Sequence, residues 1–106
     1  MEKNLVTLGT ATNHYSDRPV SLSYDARLRH TFILGQTGTG KSTLLQRMAI
    51  NDLQAGNGFA FLDPHGDAAR ELIEYIPSHR MRDVVYLRPA DTNRTFGYNI
   101  LSNVQE

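Results

Sequence analysis

The glycine-rich stretch GQTGTGKST spans residues 35 to 43 and directly follows the apolar run TFIL. Its residues match the pattern G-x-x-x-x-G-K-[ST], in which each fixed position serves an anion. Glycines let the backbone adopt positive φ, so that successive N–H groups turn inward, and a helix that begins at the loop adds further N–H groups. A chain of phosphates fits that concavity. The stretch therefore predicts a phosphate-binding loop.

The polar side chains of this loop have distinct predicted roles. Lys41 supplies a mobile positive charge for β- and γ-phosphates, and the Ser42 hydroxyl can ligate a Mg²⁺ that bridges them. Thr43 is expected to reach the α-phosphate. The predicted nucleotide-binding residues are those of the whole stretch: Gly35, Gln36, Thr37, Gly38, Thr39, Gly40, Lys41, Ser42 and Thr43.

A second candidate for chemistry lies at the end of another apolar run. Asp63 follows FAFL at 59–62, and a carboxylate in such a place can approach Mg²⁺ or its water shell in phosphate-loop enzymes. Alternatively, the sequence DPHG is simply a turn, because Asp is favoured before proline and Gly66 supplies conformational freedom. Both interpretations of Asp63 stay open. A GTPase D-x-x-G motif is disfavoured, because the spacing from Lys41 leaves no room for a switch loop and no N-K-x-D motif follows.

Apolar runs and helical periodicity alternate after residue 30. Short β-prone runs predict strands, whereas apolar residues at helical spacing predict helices. The predicted order is strand 31–34, helix 41–54, strand 59–62, helix 68–76 and strand 83–87. This alternation is typical of a parallel sheet covered by helices, and it would bring the phosphate loop and Asp63 to one edge of the sheet. The predicted fold class is α/β.

Two further local predictions concern the second helix and the start of the chain. Asp67 is the predicted N-cap of the helix at 68–76, and Pro77 is its predicted end. Short strands at 4–8 and 20–24 predict a small β-hairpin or flap. We therefore expect a hairpin at 1–27 and an incomplete phosphate-loop domain at 28–106, in which residues 89 to 106 form a loop.

Composition narrows the class of protein. The 106 residues carry 11 Lys and Arg against 11 Asp and Glu, and 40% are hydrophobic. This balance is typical of one globular domain and offers no basic excess that would by itself indicate nucleic-acid binding. The absence of cysteine excludes disulfides and thiolate zinc sites. No apolar run approaches the roughly 20 residues of a membrane helix, and no signal peptide is recognisable, so a cytoplasmic location is expected.

Hydrolysis requires a carboxylate that positions water and an arginine that stabilises charge in the transition state. The usual carrier of that carboxylate is an apolar strand that ends in Asp-Asp or Asp-Glu. Here DVVYL continues into Arg88 and Pro89, and Asp91 falls in a predicted loop. The residues therefore predict nucleotide binding and leave hydrolysis undecided.

Several segments taken together resemble the N-terminal part of ATPase domains in the HerA/FtsK superfamily: RHTFILGQTGTGKSTLL, GFAFLDPHGD, IPSHRMRDVVYLRPAD and FGYNIL. The resemblance extends from about Leu28 to Leu101, and within the superfamily it is nearest to the TraG/TraD-like coupling ATPases of conjugative type IV secretion. Members of the superfamily are RecA-like ATPases that assemble as hexameric rings and move DNA through the central channel. Two positions depart from the family pattern, since Arg88 stands where Asp is frequent and Ile100 where proline is common.

The resemblance implies a partial RecA-like sheet, with ATP and Mg²⁺ as ligands. Lys41 and Ser42 would contact phosphate and metal, and Asp63 would match the family's acidic strand end. It also implies a homo-hexameric ring in the full-length motor, DNA as a partner, and a place at the inner face of the membrane through a parent secretion complex. In the family, the water-activating Asp-Glu strand and the interface arginine lie further along than Glu106, so ATPase activity is implied by the family and not by these residues.

Two hypotheses follow for the function. The first is that the chain is the ATP- and Mg²⁺-binding portion of a DNA-translocating motor of the coupling type. The second is a stand-alone nucleotide-binding module that regulates or partners a motor without hydrolysis. A small phosphate-loop kinase is a weaker alternative, because lid arginines and an acceptor site are not recognisable.

Overall fold

The computed structural model of the chain describes residues 5–12, 16–94 and 97. Its elements in chain order are strand β1 (Leu5–Thr12), strand β2 (Asp17–Ser23), helix α1 (Tyr24–Arg27), helix α2 (Lys41–Ala55), helix α3 (Asp67–Leu72) and 3₁₀ helices at Ile73–Tyr75 and Ser78–Asp83. Within the described ranges, none of the helices combines the length and the hydropathy that crossing a membrane requires. Ile100 and most of the loop predicted at residues 89 to 106 lie outside the described residues.

Strands β1 and β2 form an antiparallel hairpin whose register pairs Leu5 with Ser23 and Thr12 with Asp17. The hairpin was predicted at 4–8 and 20–24, and both strands are longer than predicted. The register shifts between Thr7 and Gly9, as it does at a β-bulge. Strand β1 packs against helix α2.

Helix α2 confirms the helix predicted from Lys41 and ends one residue later than predicted, at Ala55. Its end is a Schellman motif: Gly56 has a φ of 82°, its N–H donates to the Leu53 carbonyl, and the Asn57 N–H donates to the Asp52 carbonyl. Among the described residues, the buried apolar side chains lie on α2 and on the elements packed against it: Val6, Met48, Ala49, Leu53 and Leu72. This small core holds α2 between the hairpin and α3.

The predicted parallel sheet, and with it the partial RecA-like sheet that the resemblance implies, is wrong for the part of the chain that the structure describes. There the strand pairing is the antiparallel one between β1 and β2, and the predicted strands at 31–34, 59–62 and 83–87 are absent. Most of their large apolar side chains are exposed, with Phe32 at 86% and Leu62 at 89%, whereas Ile33 and Phe61 are half-buried. The physical reason is that an apolar run favours extended backbone, whereas a strand also needs a partner that supplies its hydrogen bonds.

The prediction for the second helix needs correction at both ends. Gly66, with a φ of 84°, is the N-cap of α3, and Asp67 is the first helical residue. The α-helix ends at Leu72 and continues as a 3₁₀ turn at Ile73–Tyr75 before Pro77. Glycine can occupy the left-handed cap conformation without steric cost, and the capping carboxylate comes from elsewhere in the chain, as described below.

Candidate functional site

The glycine-rich loop before α2 is a tight turn closed by its own hydrogen bonds. The backbone N–H and the hydroxyl of Thr39 both donate to the Gln36 carbonyl, at 3.3 Å and 2.6 Å. Gly38 and Gly40 have φ values of 81° and 93°, a region that side chains with a Cβ rarely adopt. A Cβ on Gly35 would stand 2.6 Å from the Thr39 hydroxyl. The backbone conformation therefore requires glycine at 38 and 40, and a side chain at Gly35 would displace the Thr39 hydroxyl.

Lys41 folds back over this loop. Its Nζ donates to the carbonyls of Gly35 at 2.5 Å and Gln36 at 2.7 Å. An ammonium group has three N–H donors, and these two bonds, within the described residues, leave one for an anion. The lysine can thus bridge the loop carbonyls and a phosphate oxygen while it holds the loop in shape.

The N-terminus of α2 offers further donors beside the lysine. Gly40 is the N-cap of the helix, and no side chain caps it. The first N–H groups of a helix lack intrahelical acceptors and carry partial positive charge, and in α2 these groups belong to Lys41, Ser42 and Thr43. Backbone donors, the Lys41 ammonium and the exposed residues Ser42 and Thr43 lie at this end of the helix, and the loop itself contains no carboxylate. This donor set fits a triphosphate.

The carboxylate of Asp63 is fixed by backbone donors. Its Oδ2 accepts the Ala69 N–H at 3.1 Å, and its Oδ1 accepts the His65 N–H at 3.1 Å. These bonds, that of Ala69 first, lower the pKa of Asp63 below its usual range because they favour the charged form. The turn interpretation of DPHG is therefore confirmed, and the same carboxylate supplies the side-chain cap of α3.

Asp63 and Ser42 line the same cleft, although the predicted sheet that was expected to bring them together is absent from the described residues. The cleft has a volume of about 330 Å³, and its lining residues are Ser42, Gln46, Asp63, His65, Asp67, Ala68 and Glu71. No group of three or more His, Asp or Glu side chains among the described residues could hold a metal ion by itself. Mg²⁺ characteristically takes one or two protein ligands together with phosphate oxygens and water, so Ser42 fits this use.

Two lining residues of this cleft, Gln46 and Glu71, were not identified from the sequence. The side-chain amide of Gln46 donates to the Glu71 carboxylate at 2.9 Å and to the Ala68 carbonyl at 3.2 Å. A signal for Gln46 was present, because it lies four residues after Ser42 and thus on the same face of a predicted helix. Nothing comparable pointed to Glu71, whose partner lies on another helix.

A second polar cluster surrounds the opposite end of α2, and we call its members, Tyr24, Arg27, Asp52, Asn57 and Arg80, the polar anchor. At its centre, Arg27 donates to both oxygens of the buried Asp52, at 2.9 Å and 2.6 Å. The hydrogen bonds from Arg27 are the main cause that lowers the pKa of Asp52, and the same contact raises the pKa of Arg27. A bidentate, charge-assisted pair of this kind fixes both side chains.

The remaining members of the polar anchor connect this pair to neighbouring segments. The Asn57 side-chain amide donates to the Tyr24 hydroxyl at 2.5 Å, and that hydroxyl donates to Asp52 at 3.3 Å. Arg80 donates to the carbonyls of Leu53 and Asn57, both at 3.1 Å. The cluster therefore fastens α1 and the 3₁₀ helix at Ser78–Asp83 to the C-terminal end of α2.

Comparison with known proteins adds one finding. The family model described as Helicase HerA, central domain, matches residues 6–103, which is nearly the whole chain. No curated protein and no solved structure matches the chain. The match agrees with the resemblance to the HerA/FtsK superfamily that the glycine-rich loop and the FLDPHGD segment carry.

Proposed function

Because the chain belongs to the family of the HerA helicase central domain, we propose that it is the ATP- and Mg²⁺-binding portion of a DNA-translocating motor ATPase. The observation that carries this proposal is the self-closed glycine loop that leads into the uncapped N-terminus of α2. Backbone donors and a lysine at the start of a helix are the general solution for binding a triphosphate.

In this proposal, the role of Lys41 follows from its present contacts, and the roles of Ser42 and Thr43 follow from their places in the loop pattern. Lys41 keeps its two bonds to the loop carbonyls, offers its remaining donor to one phosphate oxygen, and places its charge near the β- and γ-phosphates. The backbone N–H groups at the start of α2 receive the phosphate oxygens, and the Thr43 hydroxyl faces the α-phosphate. When bound, Mg²⁺ would be held by Ser42 and would neutralise phosphate charge.

We further propose that Asp63 acts on the metal side through water. Both of its oxygens already accept backbone N–H groups, which fixes the carboxylate and leaves further lone pairs on each oxygen. The carboxylate is negatively charged at neutral pH, as an aspartate with an ordinary or lowered pKa is. A fixed, charged carboxylate in the cleft of Ser42 suits a hydrated Mg²⁺.

The wider assignment rests on the family and on the sequence. We propose that the motor is of the conjugative coupling type, works as a hexameric ring on DNA, and is located in the cytoplasm at the inner face of the membrane. The alternative is a stand-alone nucleotide-binding module that regulates a motor. Mixing the chain with a full-length relative separates the two: incorporation into the ring with altered DNA-stimulated ATPase activity supports the module, and indifference supports the motor portion.

Nucleotide binding is tested by titrating ATP with Mg²⁺ into the wild type and Lys41→Ala by calorimetry. Loss of a charged hydrogen bond to phosphate should weaken binding by about 10- to 100-fold. Arg82→Ala removes the same charge from an exposed position outside the loop and should bind like the wild type. Equal and negligible binding by wild type and Lys41→Ala would contradict the proposal.

A further inference from the structure

Gln46 occupies a place that the proposed nucleotide site does not yet explain. It follows Ser42 by four residues on α2, so both side chains project from the same face of the helix, one turn apart. The half-buried amide of Gln46 has two N–H donors, and both reach α3: one to the Ala68 carbonyl at 3.2 Å and one to the Glu71 carboxylate at 2.9 Å. Gln46 therefore joins the helix of the phosphate loop to α3.

Gln46 and Asp63 bind neighbouring residues of α3. Ala68, whose carbonyl accepts from Gln46, precedes Ala69, whose N–H donates to the Asp63 carboxylate at 3.1 Å. A continuous path of covalent and hydrogen bonds thus runs from Ser42 through Gln46 and α3 to Asp63. That path connects the two sides of the cleft that Ser42 and Asp63 line.

Packing between the two helices does not require Gln46. Leu72 of α3 is 6% exposed and Met48 of α2 is 8% exposed, so apolar burial already holds the helices together. The exposed Glu71 would gain little for stability by accepting a hydrogen bond that water could replace. The two bonds from Gln46 therefore fix how α3 is positioned along the N-terminal half of α2.

We propose that Gln46 is a positioning residue that couples Mg²⁺ to nucleotide binding. The inference rests on the proposed function of the loop. Mg²⁺ demands nearly ideal octahedral geometry, so its affinity depends on the separation of the groups that approach it from either side. By holding α3 in register with α2, Gln46 keeps the Asp63 carboxylate at the separation from Ser42 that a hydrated Mg²⁺ requires.

The test measures the dissociation constant of ATP twice for each variant, once with Mg²⁺ and once with EDTA. The ratio of the two constants is the Mg²⁺ coupling, which a merely structural contribution of Gln46 would not change. For Gln46→Leu, we expect the affinity in EDTA to stay within about twofold of the wild type and the coupling to fall about tenfold, which corresponds to about 1.4 kcal/mol. Gln54→Leu makes the same substitution at an exposed position of α2 and should keep the coupling.

A second pair of variants keeps the test valid if Gln46→Leu folds poorly. Gln46→Glu places two carboxylates together and should lower the coupling as well. Adding Glu71→Gln restores a donor and an acceptor with their positions exchanged, and the double variant should recover most of the coupling.

The possible outcomes distinguish failure of the proposed function from failure of this inference alone. Absence of ATP binding by the wild type in both conditions would overturn the proposed function and this inference together. Wild-type binding with a Mg²⁺ coupling that Gln46→Leu retains would overturn the role of Gln46 and leave the nucleotide site standing. An equal loss of affinity in Mg²⁺ and in EDTA would also overturn it, since the residue would then act on the loop as a whole.

Discussion

At its C-terminal end, helix α2 is surrounded by side chains that satisfy one another, whereas at its N-terminal end backbone donors face a glycine loop that has no capping side chain. In the polar anchor, Asp52 is 4% exposed and accepts bonds from three neighbouring side chains. Within the described residues, no buried side-chain nitrogen or oxygen lacks a partner. The backbone donors that α2 leaves without a capping side chain therefore lie where an anion would bind.

We therefore expect the C-terminal end of α2 to contribute to stability and its N-terminal end to contribute to nucleotide binding. Substitutions in the polar anchor should lower the free energy of unfolding and leave the intrinsic affinity for nucleotide unchanged. Substitutions in the loop should weaken nucleotide binding and leave the free energy of unfolding nearly unchanged, because the loop is exposed and makes few contacts with the core.

The largest effect on stability is expected for Asp52→Ala. Removing one partner of a buried ion pair leaves Arg27 without its counter-charge, and we expect a loss of about 3 kcal/mol in the free energy of unfolding. Asp67→Ala is the matched control, because its pair with Arg70 is 3.7 Å long and both side chains are exposed; its expected loss is about 0 to 0.5 kcal/mol. Urea unfolding measures both, and equal losses would contradict the contribution of the buried Arg27–Asp52 pair to stability.

A smaller loss is expected for Arg80→Ala. The substitution removes two hydrogen bonds to carbonyls at the end of α2, which should cost about 1 to 2 kcal/mol. Arg82→Ala lies on the same 3₁₀ helix with its side chain exposed and should change stability by less than about 0.5 kcal/mol. If Arg82→Ala proved the more damaging of the two in thermal unfolding, the polar anchor would not include Arg80.

At the other end, Gly38→Ala should act on the loop by backbone strain alone. A Cβ there would contact nothing within 4 Å, but the φ of 81° is costly for alanine, by about 1 to 2 kcal/mol. That strain should appear as roughly 5- to 10-fold weaker ATP binding, since the loop must keep this shape to bind phosphate. Gly58→Ala, at a position without positive φ and equally open, should bind normally. Normal binding by Gly38→Ala would show that the loop tolerates a side chain at position 38, and would leave Gly40 as the position where positive φ requires glycine.

The smallest effect concerns pH. The pKa of Asp52 is lowered in the folded chain by its bonds from Arg27, so its contribution to stability is fully present above the unfolded pKa of about 4. That contribution is lost as pH falls through the lower folded pKa. The stability difference between wild type and Asp52→Asn should therefore be constant from pH 7 to pH 5 and shrink below about pH 4 in urea titrations. A difference that grew on acidification would contradict this sign.

The sequence was sufficient for features that are encoded locally. The loop pattern, the start of α2 at Lys41 and the hairpin depend on residues close together in the chain, and the structure places them as expected. The polar anchor could not be foreseen, because Arg27 and Asp52 are 25 positions apart and nothing local to either specifies its partner. The same limit explains why the prediction of a parallel sheet was wrong, since an apolar run such as 59–62 does not specify which segment pairs with it.

The site shows the same division. Asp63 was singled out with two open interpretations, and its capping bonds to α3 establish the turn while its metal role stays a prediction. Gln46 was within reach of helical periodicity, because it lies one turn from Ser42. Glu71 could not be identified from the sequence, because its contact with Gln46 depends on how α3 packs against α2.

The central claim is that the phosphates of ATP bind at the glycine loop and the N-terminus of α2. Backbone amide shifts in a ¹H–¹⁵N NMR titration with Mg-ATP test this most directly, since each N–H group reports separately. The account predicts that the largest changes fall on residues 38 to 43 in the wild type and are absent in Lys41→Ala. Changes centred on the polar anchor, or the same pattern in both proteins, would contradict it.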